Sequence, residues 1–181
     1  MSNLQTLTIA PAGTWELDAV HSAVGFEVEY LGGTFKGSFR EIDATLVVGE
    51  DAVSLEGSAQ VASVDVKDEN LAGHLQSPDF FDAERFPEIR FTAKNVSLDG
   101  ETVKVEGDLT IKGVTQVADV TGTVTSPLTD PYGRERIGLK LDTRVDRTEF
   151  GVNWNNPLPN GEPALANDVT VVTELFFVKS A

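Results

Sequence analysis

The sequence predicts an all-β fold, an antiparallel β-barrel of about eight strands. Apolar and polar residues alternate with a period of two along much of the chain, which is typical of strands with one buried face. Short turns join nearly all of these strands, and no long amphipathic helix separates two of them, so parallel βαβ units are not expected. The predicted strands near 24–42 and 114–125 are long and contain glycine, which suits the bending that closes a barrel. A barrel is therefore favoured over a sandwich.

The first half of the chain carries the first group of predicted strands. Residues 1–13 are expected to form a loose N-terminal arm, and residues 14–181 a single barrel domain. Gly32 and Gly33 occupy a hairpin-type loop, where glycine adopts positive φ without steric cost. The predicted strands of this half cover 14–18, 24–30, 35–48 and 53–66.

The second half continues the same pattern. The pair Asp99-Gly100 is a strong signal for a two-residue hairpin. Residues 146–167 show no regular alternation and contain three prolines. The predicted strands of this half cover 89–98, 103–111, 116–125, 137–141 and 169–178.

The segment around 68–84 does not fit the strand pattern, and a short helical insertion is predicted there. Leu71 and Leu75 lie four residues apart in an otherwise polar stretch, which suits one face of a short helix. The insertion also carries the adjacent aromatic residues Phe80 and Phe81. We expect it to cover one end of the barrel.

A helix start is predicted within this insertion. Ser77 is expected to be the N-cap, with Pro78 in the first turn and Asp79 favoured by the helix dipole. Pro87 would then end the turn, because proline lacks an N–H and favours an extended backbone before it.

Composition and charge restrict the partners that the protein can have. The chain has 181 residues, of which 40% are hydrophobic, and a formal net charge of -15. Such a charge repels nucleic acid and anionic membrane surfaces. The absence of cysteine excludes disulfides and thiolate metal sites. No signal peptide and no membrane-spanning stretch is recognised, so a cytoplasmic protein without stable membrane insertion is expected.

Few residues carry the signature of a reactive site. His21 and His74 each lie near carboxylates, but without metal-ligand spacing, and an ordinary loop role is favoured for both. No nucleophile elbow, phosphate loop or dinucleotide fingerprint is present. No catalytic residue, metal or cofactor is therefore expected. Four charged residues of the last third are interpreted as surface charge balance: Asp142, Arg144, Asp146 and Arg147.

The aromatic residues are the richest signal in the chain. Ten phenylalanines and two tryptophans are present, and several share one face of a predicted strand. An ordinary filled core explains this pattern, but an eight-stranded barrel can also keep room for one ligand. The interior glycines Gly37, Gly107 and Gly122 are expected to leave such space. A chain that enters it would gain about 0.8 kcal/mol for each buried CH₂ group.

Four blocks of the sequence resemble the YceI-like family. The opening block is similar at residues 15–22 (WELDAVHS), with 26–28 (FEV) and 37–39 (GSF). The central block is similar at 74–82 (HLQSPDFFD) and 86–91 (FPEIRF). The third and fourth blocks are similar at 107–115 (GDLTIKGVT) and 147–152 (RTEFGV).

This resemblance implies an extended eight-stranded antiparallel β-barrel of lipocalin-like shape. It also implies an elongated apolar tunnel that binds polyisoprenoids or other long-chain amphiphiles, and a protein that is often a dimer. Many family members are periplasmic and have a leader, which is not recognised here. Family members often carry Arg-Asp before the His-Leu pair, whereas here Ala72 and Gly73 precede His74 and Leu75. A role for that arginine in holding a charged head group is therefore not expected in this chain.

The expected ligand is a polyisoprenoid or fatty-chain lipid, and a homodimer is allowed but not required. Trp15, His74 and Trp154 are expected at a mouth of the tunnel, and the segment around Phe80 as its lid. Two alternatives stay open: an enzyme for an isoprenoid or quinone-type substrate that uses His21 or His74, and a structural module with a filled core. The residues expected to line the tunnel are Phe26, Val28, Tyr30, Phe35, Phe39, Phe80, Phe81, Ile89, Phe91 and Leu109.

Overall fold

The computed structural model describes residues 10–50 and 52–180, in which twelve strands form one antiparallel sheet. Residues 1–9 of the predicted N-terminal arm lie outside the described part of the chain. The strands are β1 (Gly13–Leu17), β2 (Ala23–Tyr30), β3 (Gly33–Phe39), β4 (Ile42–Val48), β5 (Val53–Gln60), β6 (Val64–Asp65), β7 (Glu88–Asp99), β8 (Thr102–Ile111), β9 (Val114–Val124), β10 (Leu128–Thr129), β11 (Glu135–Asp146) and β12 (Leu165–Lys179).

Eight of these strands close into a barrel, which confirms the predicted fold. β11 and β12 pair from Arg136 opposite Val178 to Asp146 opposite Asp168, and this long pairing closes the ring. The order of strands around the ring is β11, β9, β8, β7, β5, β4, β1 and β12.

Two pairs of consecutive strands, β1 with β2 and β3 with β4, follow one another along the barrel wall and extend the barrel at one end. β12 pairs with β1 through its last residues and with β2 through residues 165–174. Between β1 and β2 the chain makes the predicted turn, where Asp18 N–H donates to the Phe176 carbonyl (2.7 Å). The alternation predicted as one strand over 35–48 is split into β3 and β4, because Arg40 N–H donates to Ser63 O (3.0 Å) instead of continuing a ladder.

One α-helix, α1 (Glu69–Gln76), lies within the predicted insertion, but the predicted helix start is wrong. The N-cap is Asp68, whose carboxylate accepts hydrogen bonds from Asn70 N–H (2.7 Å) and Leu71 N–H (3.2 Å). Ser77 is instead the C-cap, and its hydroxyl donates to the His74 carbonyl (2.6 Å).

Phe80 and Phe81 consequently lie in a tight turn segment after the helix, not on a helix. This segment, residues 77–86, folds back on the end of α1: Phe81 N–H donates to Leu75 O (3.0 Å), and Asp82 N–H donates to Ser77 O (2.9 Å). β7 begins directly after Pro87, so the helical insertion ends where the sequence predicts.

The most deeply buried side chains of the barrel include Trp15, Phe150 and Phe177. Trp15 is completely buried, and its indole N–H donates to the Pro11 carbonyl (3.1 Å). Within residues 10–50 and 52–180, no helix has the length and apolar character needed to cross a membrane.

Candidate functional site

Three cavities follow one another through the barrel, so its interior is not filled. The largest has a volume of about 310 Å³ and lies beneath α1 and the turn segment after it. The second, of about 130 Å³, shares the lining residues Val24, Ala59, Ile89, Leu109 and Val171 with the first. The third, of about 40 Å³, shares Leu55 and Leu141 with the second. These three neighbouring apolar cavities are called the tunnel below.

The sequence identified part of the tunnel wall, mainly through the period-two alternation of its strands. Nine of the ten residues predicted to line the tunnel border the largest cavity, and Phe91 borders the second. Their part in binding a ligand stays a prediction. The nine are Phe26, Val28, Tyr30, Phe35, Phe39, Phe80, Phe81, Ile89 and Leu109.

The mouth position predicted for Trp15 is wrong, whereas His74 and Trp154 do border the largest cavity. The Trp15 side chain points inward, as its alternation suggests, but it packs completely within the core and borders none of the three cavities. His74 and Trp154 are partly exposed, so they lie where the cavity approaches the surface.

An aromatic cluster covers the end of the largest cavity. The His74 ring meets the rings of Phe80 and Trp154 edge-on, with centroid distances of 5.0 Å to each. The rings of Phe80 and Trp154 lie 5.3 Å apart. His74 Nε2 is 3.0 Å from the Asp79 carboxylate, which links the helix to the segment that follows it. The end of α1 and residues 77–86 therefore form a cover with one contiguous apolar inner face.

Lys112 joins two of the segments around this cover. Its ammonium group donates to the Pro78 carbonyl (2.6 Å) and to the Gly151 carbonyl (3.4 Å). It lies in the turn between β8 and β9, where Gly113 has positive φ and the Phe86 ring packs directly against it. These contacts fix the cover to the body of the barrel.

The expectation that interior glycines leave open space is wrong, because neighbouring groups occupy that space. The Phe26 ring lies over Gly37, and the Phe91 ring lies over Gly107. At Gly122 the carbonyl of Lys140 approaches so closely that no side chain fits. Because these two glycines have no side chain, the outer ends of the two rings can approach the sheet closely.

Arg147 is a buried residue of the tunnel wall, which contradicts its interpretation as surface charge. It is 6% exposed and borders the largest cavity. Asp146 caps the short 3₁₀ turn Arg147–Phe150 by accepting from Thr148 N–H (2.9 Å), and this turn follows the end of β11. Burial lowers the pKa of the Arg147 guanidinium, and the nearby Asp146 carboxylate opposes that effect.

Other lining residues were missed because they lie in α1, in the irregular region or at strand positions not weighed as lining. Period-two alternation could have identified strand residues among them: Val24, for example, is in phase with the predicted residues of β2. The residues missed are Val24, Gly25, Ala59, Leu71, Leu75, Ile111, Val145, Arg147, Phe150, Val152, Leu165, Val169 and Val171.

The arrangement offers apolar surface and positive charge, with few groups for catalysis. Among the described residues that line the largest cavity, His74 and Arg147 are basic and none is acidic. His21 lies outside the three cavities and pairs with Asp18 (2.7 Å) on the surface. In the described ranges, no three His, Cys, Asp or Glu side chains come together as metal ligands would.

Comparisons with known proteins agree with this fold. The model of the YceI-like domain matches residues 15–177. A UPF0312 protein from Staphylococcus aureus (strain USA300) is 34% identical over 161 residues, which cover 84% of this chain and 90% of that protein. BcnA from Burkholderia cenocepacia has a similar structure, with a TM-score of 0.77 and 22% identity over 88% of this chain and 98% of BcnA. A polyisoprenoid-binding domain from Saccharophagus degradans superimposes with a TM-score of 0.72 and 16% identity, over 92% of this chain and 98% of that domain.

Proposed function

The chain belongs to the YceI-like domain family, and we propose that it binds a polyisoprenoid or another long-chain amphiphile in its tunnel, as a carrier, a store or a means of sequestration. The observation that carries this proposal is the succession of three apolar cavities through the barrel. The Saccharophagus degradans neighbour, which is described as a polyisoprenoid-binding domain, supports the same class of ligand.

The size and shape of the tunnel favour a flexible chain over a compact molecule. The largest cavity, at about 310 Å³, is at the lower end of the ~300–1,000 Å³ typical of small-molecule sites. Two further cavities follow along the barrel and share wall residues, so a long ligand that enters them would gain more burial than a short one. At about 0.8 kcal/mol for each buried CH₂, a few isoprene units supply the free energy of binding without polar contacts.

We propose binding and not catalysis, because the ionisable side chains on the largest cavity do not form a reactive set. They are Tyr30, His74 and Arg147. His74 is paired with a carboxylate outside the cavity lining, and the hydrogen bonds of Arg147 go to backbone carbonyls. This pattern suits an apolar binding site with a few orienting groups.

The test is a titration with isoprenoid alcohols of increasing length: geraniol, farnesol and geranylgeraniol. Affinity should rise by about tenfold or more with each added unit until the tunnel is full, because every unit buries several more carbons. Affinity that does not depend on chain length, or the absence of binding by all three alcohols, would contradict the proposal.

A further inference from the structure

We propose that the tunnel selects a single-chain amphiphile with an anionic head group, a carboxylate or a phosphate, and that Arg147 binds that head group. This inference rests on the proposed function and names the chemistry of the ligand's polar end.

One nitrogen of the Arg147 guanidinium, Nη2, makes only a weak hydrogen bond. Nε donates to Ala166 O (2.8 Å), and Nη1 donates to Val152 O and to Trp154 O (2.8 Å each). Nη2 has only a long contact to Leu165 O (3.4 Å), although it carries two N–H groups. Three strong bonds thus fix the plane of the group, while Nη2 keeps a donor for a further acceptor.

The charge of Arg147 has no direct counter-ion among the described residues. None of the ion pairs found there includes it. The nearby Asp146 uses its carboxylate to accept from the backbone N–H and hydroxyl of Thr148. A buried charge is costly unless it is paired, and carbonyl groups supply only partial charges. An anionic head group would supply the missing pair.

The basic side chains of the largest cavity lie at one of its ends, which suits a ligand with a charged head group at one end of its chain. His74 and Arg147 are both held against Trp154, one by ring contact at 5.0 Å and the other by a hydrogen bond to its carbonyl. The two basic groups of the largest cavity therefore lie at the same end, in a protein with 29 acidic and 14 basic residues. A head group at this end would leave the chain directed toward the second cavity.

The test compares ligands with one saturated chain and three head groups: hexadecanoic acid, hexadecan-1-ol and hexadecyl phosphate. Each is titrated against the full chain at neutral pH. The acid or the phosphate should bind at least about tenfold more tightly than the alcohol, since a charge-assisted hydrogen bond replaces an unpaired charge. The anion with the higher affinity identifies whether the natural head group resembles a carboxylate or a phosphate.

Two variants assign this preference to a residue. Arg147→Gln should reduce the ratio of the anion's affinity to the alcohol's affinity to about onefold. Arg144→Gln removes the same charge from an exposed position on β11 and should keep the preference. A role of Arg147 in folding alone would weaken acid and alcohol equally. If Arg147→Gln does not fold, the NMR signal of the Arg147 Nε–H in the unchanged protein should still move with the acid and not with the alcohol.

The outcomes separate this inference from the proposed function. Equal, tight binding of all three ligands would overturn the head-group assignment and leave the tunnel proposal standing. No binding of any ligand would overturn both. Retention of the anion preference in Arg147→Gln, or an unchanged Nε–H signal, would also overturn the assignment to Arg147.

Discussion

The ring of Phe26 on β2 lies directly over Gly37 of β3, and a methyl group built on Gly37 would overlap it. Phe26 also packs against Phe35 and Phe39, with ring centroids 6.1 and 5.8 Å away. The absence of a side chain at Gly37 thus sets how far this aromatic row extends into the largest cavity.

Substitution Gly37→Ala is expected to push the Phe26 ring into the cavity. We predict a loss of about 1–3 kcal/mol in the free energy of unfolding from overpacking. Farnesol should also bind more weakly, by roughly tenfold. Urea unfolding and a binding titration measure the two effects. The control is Gly33→Ala on the same strand, where the nearest atom to an added methyl is 3.8 Å away. Equal effects of the two substitutions would contradict the account.

Substitution Ala59→Phe is expected to block the passage between the first and second cavities, because Ala59 is buried and lines both. Geranylgeraniol should lose about tenfold or more in affinity, while geraniol, which fits the first cavity, should lose much less. Ser54→Phe places the same ring on the exposed face of β5 and should change neither affinity. An equal loss for the long and the short alcohol in Ala59→Phe would show that the cavities are not used in series.

Substitution Phe80→Ala is expected to weaken retention of a long-chain ligand. Phe80 is buried in the cover against His74 and Trp154, so its loss opens the end of the cavity. Stability should fall by about 3–5 kcal/mol, as for other buried phenylalanines. Dissociation of bound farnesol, followed in a stopped-flow experiment, should become faster. Phe176→Ala removes a ring that is absent from the cavity lining and should leave the dissociation rate unchanged. Equal ligand occupancy of Phe80→Ala and the unchanged protein in native mass spectrometry would remove the lid role.

The barrel is expected to lose stability in acid, because Arg136 forms ion pairs with two carboxylates that become protonated. Its guanidinium donates to the carboxylates of Asp18 (2.9 Å) and Asp130 (2.7 Å), and these bonds hold the pKa of both below the ordinary value of 3.8. A carboxylate with a lowered folded-state pKa stabilises the fold fully above about pH 4, and the contribution is lost as the pH falls through the folded-state pKa.

Urea unfolding at pH 7 and at pH 3 tests this dependence. Arg136→Gln should be less stable than the unchanged protein at pH 7, and the difference should shrink at pH 3. Lys140→Gln is the control, because Lys140 is exposed and its ammonium group lies 4.0 Å from the carboxylate of Glu174, which makes a weak ion pair. A difference that stays constant or grows in acid would contradict the assignment.

Alternation in the sequence predicted which side chains face the lumen but not how deep they lie. The inward residues of β2 and β7 follow from a period of two, since each strand has one buried face. Trp15 faces inward by the same rule, yet its position along the barrel depends on its pairing with Leu46 and Lys179, which no local pattern reveals.

The start of the helix and the burial of Arg147 were not predicted correctly from the sequence. Asp68 and Ser77 are both good N-cap residues, and the helix begins at the earlier one, which places Leu71 and Leu75 against the core of the barrel. Arg147 follows the last residue of β11, where the 3₁₀ turn capped by Asp146 and not the strand period sets the direction of its side chain. The sequence therefore predicted the fold and part of the apolar wall but not the buried charge.

The central claim is that an elongated apolar tunnel holds one long chain. Native mass spectrometry of the purified protein, before and after extraction with organic solvent and then after incubation with geranylgeraniol, tests it most directly. We predict that the extracted, folded protein takes up one geranylgeraniol molecule per chain, and that Ala59→Phe takes up markedly less. An extracted protein that remains folded and takes up none would contradict the claim.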